Sequence, residues 1–244
     1  MKALIFAAGL GTRLFPLTQN KPKALCEIAG KTLLQYAIEK VSHAGYKDLI
    51  VNVHHFGDQI IDFLKSHDNF GLNIAISDER EQLLDTGGGI LKASWFLEGE
   101  EPFLVYNVDV LSTIDLDQLL QVHKQNGALA TLAVRERVTS RYLIFDSQMQ
   151  LSGWRNIKTN EQIISRNTKE ANLYAFSGIQ LIEPKIFGLI QEKGSFPLIP
   201  LYLRLASERS ICGFHDESSL WMDLGKPDQL LEAEKYLEEN NSAF

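Results

Sequence analysis

The sequence predicts an α/β protein with a mostly parallel sheet that is covered by helices on both faces. Through the first 135 residues, short and almost continuously apolar segments alternate with segments of helical periodicity, the pattern of strands buried on both faces and joined by helices. No linker rich in Pro, Gly or Ser divides the chain. The predicted strands of this half are Lys2–Ala7, Asp48–Val53, Leu72–Ile76, Phe103–Val108 and Ala128–Val134, and the predicted helices are Thr32–Ala44, Phe56–Leu64, Ile90–Leu97 and Asp115–Gln125.

The spacing of apolar residues is the evidence for these predicted strands and helices. The five strand segments are apolar runs of strand length, bounded by polar residues or glycine. In the first helix, Leu33, Ala37 and Val41 recur at helical spacing, and Gly45 follows as a glycine that ends a helix. The apolar face of the second helix is formed by Ile60, Ile61 and Leu64.

The pattern becomes less regular after residue 135. Two short apolar strands around a polar turn predict a hairpin, and a longer strand and a short helix opened by Pro184 follow it. We expect a single domain over residues 1–244, with a regular half at 1–135 and a less regular lobe within 136–244. The remaining predicted elements are Tyr142–Phe145, Leu151–Trp154, Leu173–Ile182, Pro197–Ala206, Ile211–Phe214 and Pro227–Glu239.

Composition and charge exclude several classes of protein. The chain has 244 residues, 45% hydrophobic and 23% charged, which excludes collagen-like, low-complexity and disordered proteins. Its net charge of -7 argues against a general nucleic-acid or membrane-surface binder. The first apolar run is too short for a signal peptide, and no stretch reaches the ~20 apolar residues of a membrane span. With only Cys26 and Cys212, no disulfide framework is expected, so we predict a cytoplasmic protein.

A glycine loop directly follows the first strand, in the run Ala7-Ala8-Gly9-Leu10-Gly11-Thr12-Arg13. Its glycines let the backbone approach a ligand closely, and its N–H groups can attract phosphate. A dinucleotide-binding fingerprint is excluded because Leu14 replaces the third glycine, and the Lys-Ser/Thr of a P-loop is absent. A tight turn is the alternative interpretation. The cations of Arg13 and Lys23 favour a site for a polyphosphate leaving group.

Two further motifs carry candidate site residues. Thr86-Gly87-Gly88-Gly89 opens the third predicted helix, and three glycines there indicate either a flexible loop or a second backbone cradle for a ligand. Asn107-Val108-Asp109 closes the fourth predicted strand, where open parallel sheets bind ligands. Asp109 is therefore either a solvated strand-end carboxylate or a Mg²⁺ ligand, since a hard cation prefers oxygen donors.

The run from Leu4 to Gly30 resembles the signature of sugar-1-phosphate nucleotidyltransferases, through its Gly-Leu-Gly-Thr-Arg-Leu-Phe-Pro-Leu-Thr segment, Pro22-Lys23 and Ala29-Gly30-Lys31. The resemblance implies that Arg13 contacts the triphosphate and assists departure of pyrophosphate, and that Lys23 bridges the nucleotide α-phosphate and the sugar phosphate. Ala24 departs from the proline that the family usually has there. The nucleotide-binding residues implied are Ala7, Ala8, Gly9, Gly11, Thr12, Arg13, Lys23, Gln82, Thr86, Gly87, Gly88 and Asn107.

The resemblance extends to the second half of the chain. Trp221-Met222-Asp223-Leu224-Gly225-Lys226-Pro227 is similar to the family's Trp-x-Asp-x-Gly-x-Pro motif, whose aspartate completes a Mg²⁺ site with Asp109. The family usually has glycine where Val108 stands. The glycine triplet and Phe176-Ser177-Gly178-Ile179 resemble the N-acetylmuramate-1-phosphate uridylyltransferase branch. The sugar-binding residues implied are Gly178, Asn172 and Glu161.

The resemblance implies a Rossmann-like three-layer nucleotidyltransferase fold, with a nucleotide-binding half at 1–135 and a smaller sugar-binding lobe within 136–244. The implied reaction joins a nucleoside triphosphate, with UTP favoured, to a sugar 1-phosphate and releases pyrophosphate, with Mg²⁺ as cofactor. A mannose- or heptose-1-phosphate guanylyltransferase is the alternative. A non-catalytic nucleotide-sensing domain is disfavoured because Arg13, Lys23, Asp109 and Asp223 are all present. The sequence leaves the oligomeric state open.

Overall fold

The computed structural model describes residues 1–240 and contains one large sheet, two small sheets and seven α-helices in that range. The strands are β1 Lys2–Phe6, β2 Glu27–Ile28, β3 Lys31–Thr32, β4 Asp48–Val53, β5 Asn73–Asp78, β6 Phe103–Asn107, β7 Val110–Ser112, β8 Ala130–Arg135, β9 Arg141–Phe145, β10 Leu151–Asn156, β11 Gln162–Ile164, β12 Asn172–Ile182, β13 Ile211–His215 and β14 Trp221–Asp223. The helices are α1 Leu33–His43, α2 Gly57–Ser66, α3 Asp85–Lys92, α4 Ser94–Leu97, α5 Leu116–Asn126, α6 Leu198–Leu205 and α7 Pro227–Glu239. The last four residues of the domain expected over 1–244 lie outside the described range.

The large sheet joins strands from both halves of the chain. Its central path runs β11-β10-β9-β12-β6-β1-β4-β5, and β8 pairs with both β12 and β13. Strands β6, β1, β4 and β5 are parallel to one another, whereas β12 lies antiparallel to β6, β8 and β9. The sheet is therefore parallel from β6 to β5 and antiparallel around β12, with β13 parallel to β8, which confirms the mixed α/β fold.

Helices cover both faces of the sheet. In β1, Ala3 and Ile5 belong to the core that packs under α1, α2, α5 and α7, whereas Leu4 belongs to the core under α3 and α6. Alternate residues of a strand point to opposite faces, so a strand that is apolar throughout is buried on both sides. Helix α1 ends at His43, and Gly45 has a φ of 84°. The three-layer arrangement and this helix end are as predicted.

The start of the third helix was predicted wrongly. The third helix was expected at 90–97, but α3 begins at Asp85 and includes the whole glycine triplet, and a separate turn of helix, α4, follows Ala93. Glycine has a poor helix propensity, so the helix was expected to begin only after the triplet. The close packing described below explains why the triplet is helical.

The small sheet of β7 and β14 was not predicted and connects distant parts of the chain. The two strands are antiparallel, with Asp223 opposite Val110. The amide of Leu224 donates to the carbonyl of Asp109 at 2.7 Å. This pairing places the residue after β6 and the end of β14 side by side.

None of the helices within 1–240 combines the length and the apolar character needed to cross a bilayer.

Candidate active site

A cavity of about 470 Å³ opens at the carboxyl ends of β1 and β6. Open α/β sheets bind ligands at this edge of the sheet. The glycine loop after β1 lines one side, and the segment after β6 and the start of α3 line the others. The residues that the cavity shares with the sequence prediction include Ala8, Gly9, Lys23, Thr86, Asn107 and Asp109.

Lys23 reaches across the cavity to Asp109. Its ammonium group forms an ion pair with the Asp109 carboxylate, although only 9% of the Lys23 side chain and 24% of the Asp109 side chain are exposed. Gly11 has a φ of 65°, and a Cβ there would lie 2.9 Å from Thr18 Cγ2 and 3.0 Å from Lys23 Cβ. Glycine is therefore needed at position 11 both for the turn and for the packing that holds the Lys23 stem.

Asp223 and Arg13 meet at Gly225. A Cβ on Gly225 would lie 2.7 Å from Arg13 Nη2 and 2.8 Å from Asp223 Oδ1, so both charged groups pack directly against this glycine. Because Asp223 lies opposite Val110 in the small sheet, it is also a neighbour of Asp109. The structure thus brings all four predicted catalytic residues to one edge of the sheet.

Asp109 and Asp223 have the donor chemistry for Mg²⁺. Both supply carboxylate oxygens, and a Mg²⁺ site commonly uses one or two carboxylates with water and substrate phosphates in its other positions. Within residues 1–240, no third Asp, Glu, His or Cys side chain completes a larger metal-ligating cluster. The two residues therefore fit a metal that is shared with substrate phosphates.

Sequence analysis missed a pair of buried polar residues beneath the glycine loop. Asn52 Oδ1 accepts from the amides of Ala7 at 2.7 Å and Ala8 at 3.2 Å. Asn52 Nδ2 donates to Glu79 Oε1 at 2.8 Å, and Glu79 is completely buried. A polar residue within the apolar β4 was the available signal, since buried polar side chains are hydrogen-bonded.

The hydrogen bonds to Asn52 leave only part of the glycine loop with free backbone amides. The amides of Ala7 and Ala8 are already bonded to Asn52, so their backbone donors do not point to a ligand, although both residues line the cavity. The amides of Gly9, Gly11 and Thr12 have no acceptor among the described residues. The donors available to a phosphate are therefore those from Gly9 onward.

The structure corrects the interpretation of the glycine triplet as a backbone cradle. The amides of Gly87 and Gly88 both donate to the carbonyl of Phe196, at 2.9 and 3.2 Å. A Cβ on Gly87 would lie 2.2 Å from the Phe196 ring, and one on Gly88 would lie 2.3 Å from the Gly194 carbonyl oxygen. These two glycines let the 194–196 segment pack against α3, whereas Thr86 remains at the cavity.

Three other predicted residues are not in the lining of the cavity. Gln82 is exposed in the segment before α3, Asn172 is exposed at the far end of β12, and Glu161 is exposed between β10 and β11, where it accepts from Thr159. Sequence alone did not indicate where the lobe places Asn172 and Glu161. Gly178 does border the site: its φ is 78°, and a Cβ there would lie 2.9 Å from Asn107 Nδ2.

Burial affects one ionisable group at the base of the site. Burial raises the pKa of Tyr106 above its ordinary value, and the charge of Asp109 adds to this shift. The Tyr106 hydroxyl donates to the Val110 carbonyl at 3.1 Å. Tyr106 is therefore a neutral donor that supports β7, the strand next to Asp109.

Several known proteins are similar to this chain in sequence or in fold. The sequence matches the family model for nucleotidyl transferases over residues 2–240. It is 33% identical to N-acetylmuramate alpha-1-phosphate uridylyltransferase of Caulobacter vibrioides, over 97% of each chain. It is 30% identical to mannose-1-phosphate guanyltransferase of Yarrowia lipolytica, over 95% of this chain and 62% of that one. The fold matches UDP-glucose pyrophosphorylase from Acinetobacter baumanii with a TM-score of 0.79 at 17% identity, over 99% of this chain and 94% of the other.

Proposed function

Since the chain belongs to the nucleotidyl transferase family, as a sugar-1-phosphate nucleotidyltransferase, we propose that it transfers the uridylyl group of UTP to a sugar 1-phosphate. An oxygen of the sugar phosphate attacks the α-phosphorus and forms the new P–O bond. The bond between the α-phosphorus and the oxygen bridging to the β-phosphate breaks, and pyrophosphate leaves with that electron pair. The products are a nucleotide-sugar and pyrophosphate.

The observation that carries this proposal is that Lys23 and Asp109 pair in the cavity, while Arg13 and Asp223 meet at Gly225 beside the segment that follows Asp109. The attacking phosphate oxygen is already ionised at neutral pH, so the reaction needs no general base. Catalysis then depends on alignment and on neutralising phosphate charge. Two cations beside a loop with free amides suit that task.

Each residue has a part in the proposed reaction. Lys23 holds the α-phosphate and the sugar phosphate near each other, and Arg13 offsets the charge that develops on pyrophosphate. The amides from Gly9 onward bind the triphosphate. Asp109 and Asp223 would hold Mg²⁺, which when bound supplies charge neutralisation to the phosphates.

Two observations support UTP over GTP. The relatives named as N-acetylmuramate uridylyltransferases match 97% of their own length, whereas the mannose guanyltransferases match 62–63% of theirs. The Ala7-Ala8-Gly9 sequence is also more similar to the uridylyl and cytidylyl branches. The guanylyl reaction remains the second candidate because the 30% identity to the Yarrowia lipolytica enzyme spans 95% of this chain.

The two free cysteines, both buried, agree with a cytoplasmic location.

A pyrophosphate-release assay tests the proposal. UTP, GTP, CTP and dTTP are each combined with N-acetylmuramate 1-phosphate, mannose 1-phosphate and glucose 1-phosphate in the presence of Mg²⁺. We expect the highest kcat/KM with UTP. A preference for GTP with mannose 1-phosphate would establish the second candidate, and no release with any pair would contradict both.

A further inference from the structure

A second, smaller cavity lies in the lobe, on the strand that carries Gly178. Its volume is about 250 Å³, below the roughly 300–1,000 Å³ of a common ligand pocket. Aromatic side chains and two arginines line it, with no acidic residue in the lining. The lining includes Arg137, Arg141, Tyr142, Trp154 and Phe176. Its size suits one sugar ring or its substituents, and its charge suits an anion.

The second cavity adjoins the proposed active site. Phe176 lines the second cavity, and Gly178, on the same strand, packs against Asn107, which lines the first. The indole Nε1 of Trp221 donates to the carbonyl of Ser177 at 2.8 Å. Trp221 belongs to the same short strand as Asp223. A sugar whose phosphate reaches the two aspartates can therefore extend along β12 towards the second cavity.

Arg137 is a cation with unused hydrogen-bonding capacity at this cavity. Its guanidinium carbon lies 4.7 Å from the centroid of the Trp221 ring, and Nη2 donates to the carbonyl of Phe176 at 3.2 Å. Nε is buried and has no acceptor, and no carboxylate of residues 1–240 forms an ion pair with the guanidinium. Burial lowers the pKa of Arg137, and the nearby charge of Asp223 opposes that shift. A partly buried guanidinium that forms no ion pair is costly, and a ligand anion in direct contact would satisfy it.

We propose that Arg137 recognises a carboxylate carried by the sugar 1-phosphate, so that the enzyme selects an acidic sugar over a neutral one. This inference rests on the proposed function. Tyr142, Trp154 and Phe176 form the walls around the sugar, and Arg141 adds a second positive charge from its exposed position. A guanidinium fits the planar geometry of a carboxylate better than an ammonium group does. N-acetylmuramate 1-phosphate, which carries a lactyl carboxylate, is a substrate of this class.

The test compares two sugars that differ in the carboxylate. With UTP, kcat/KM is measured for N-acetylmuramate 1-phosphate and for N-acetylglucosamine 1-phosphate, which has the same ring without the lactyl group. We expect wild type to prefer the acidic sugar. Arg137→Gln should lower kcat/KM for the acidic sugar at least about tenfold, mainly through KM, and change the neutral sugar by less than about twofold. Arg137→Lys should restore part of the loss.

Arg155→Gln is the matched control. Arg155 follows Trp154 on β10 and is exposed, so this variant removes one arginine charge from the same lobe without altering the cavity. It should leave both sugars unchanged. Equal losses for both sugars in Arg137→Gln, or a wild type that prefers the neutral sugar, would overturn the inference and leave the proposed function intact. No turnover of either sugar would also overturn the inference, whereas only the absence of pyrophosphate release with every triphosphate and sugar 1-phosphate pair would contradict the proposed function.

Discussion

Lys23 and Asp109 form an ion pair although they are 86 positions apart in the sequence. The pair lies where β1 and β6, parallel neighbours in the sheet, both end. Gly11 packs against the Lys23 stem, and the Asp109 carbonyl accepts from Leu224. The backbone on both sides of the pair is thus fixed before any substrate binds, which is the condition for electrostatic catalysis without reorganisation.

Replacing Lys23 should abolish most of the activity. Lys23→Gln removes the cation that aligns the two phosphates, and the loss of one such electrostatic group costs about a hundredfold or more in kcat. Lys21→Gln is the control, since Lys21 is a nearby, partly buried lysine that does not line the cavity. Steady-state pyrophosphate release measures both variants. Turnover near the wild-type rate in Lys23→Gln would contradict the role of this residue.

Asn52 should stabilise the glycine loop through its hydrogen bonds to the loop amides. Asn52→Ala leaves the amides of Ala7 and Ala8 without their acceptor in a buried place, which costs about 1–3 kcal/mol of unfolding free energy. The loop should also bind UTP more weakly. Chemical denaturation and UTP titration test the two effects. Asn73→Ala is the control, because it removes only an exposed hydrogen bond to Asp48 on the neighbouring strand. It should change the free energy of unfolding by less than about 0.5 kcal/mol. An equally small effect of Asn52→Ala would refute the prediction.

Gly87→Ala should destabilise the protein because a Cβ there overlaps the Phe196 ring. Overpacking of this kind costs about 1–3 kcal/mol, and thermal unfolding should show a lower Tm. Gly188→Ala is the control, because a Cβ at Gly188 meets nothing within 4 Å. If Gly87 instead contacted the nucleotide, the variant would keep its Tm and lose only UTP affinity.

The stability of the protein should depend on pH through His123. Burial lowers the pKa of His123, and the nearby Glu183 carboxylate opposes that shift only in part. As the pH falls, His123 therefore takes up a proton near pH 6.5 in the unfolded chain, but only at lower pH in the folded protein. The free energy of unfolding consequently rises as the pH increases towards about 6.5 and is flat above it. Urea unfolding between about pH 5 and 7.5 should show a smaller slope in His123→Gln than in wild type. His55→Gln, at an exposed histidine, should keep the wild-type slope, and an unchanged slope in His123→Gln would contradict the assignment.

Local patterns were sufficient to predict the sheet of the first half and the positions of the charged candidates. The strands β1, β4 and β6 are apolar on both faces, and the glycine loop directly follows β1. These features depend on neighbouring residues, so the sequence reveals them. The resemblance to a known family added Asp223, which periodicity alone could not connect with Asp109.

Contacts between segments that are distant in the sequence could not be predicted from local patterns. The bond from Asn52 to Glu79 depends on the register between β4 and β5. The packing of the 194–196 segment against Gly87 depends on where a distant loop lies. Asn172 and Glu161 were chosen for polarity, but their positions follow from the orientation of the antiparallel lobe. For Gly87, Asn172 and Glu161, residue type is compatible with a ligand site, but tertiary packing places these residues elsewhere.

The central claim is that Asp109 and Asp223, brought together by β7 and β14, act as one unit in nucleotidyl transfer. A double-mutant cycle of Mg²⁺-dependent pyrophosphate release tests it, with Asp109→Asn, Asp223→Asn and the double variant compared under saturating UTP and sugar 1-phosphate. We predict that each single variant lowers kcat by at least about a hundredfold and that the double variant loses little more, since residues acting as a unit are strongly non-additive. Near-normal turnover in either single variant, or losses that multiply in the double variant, would contradict the claim.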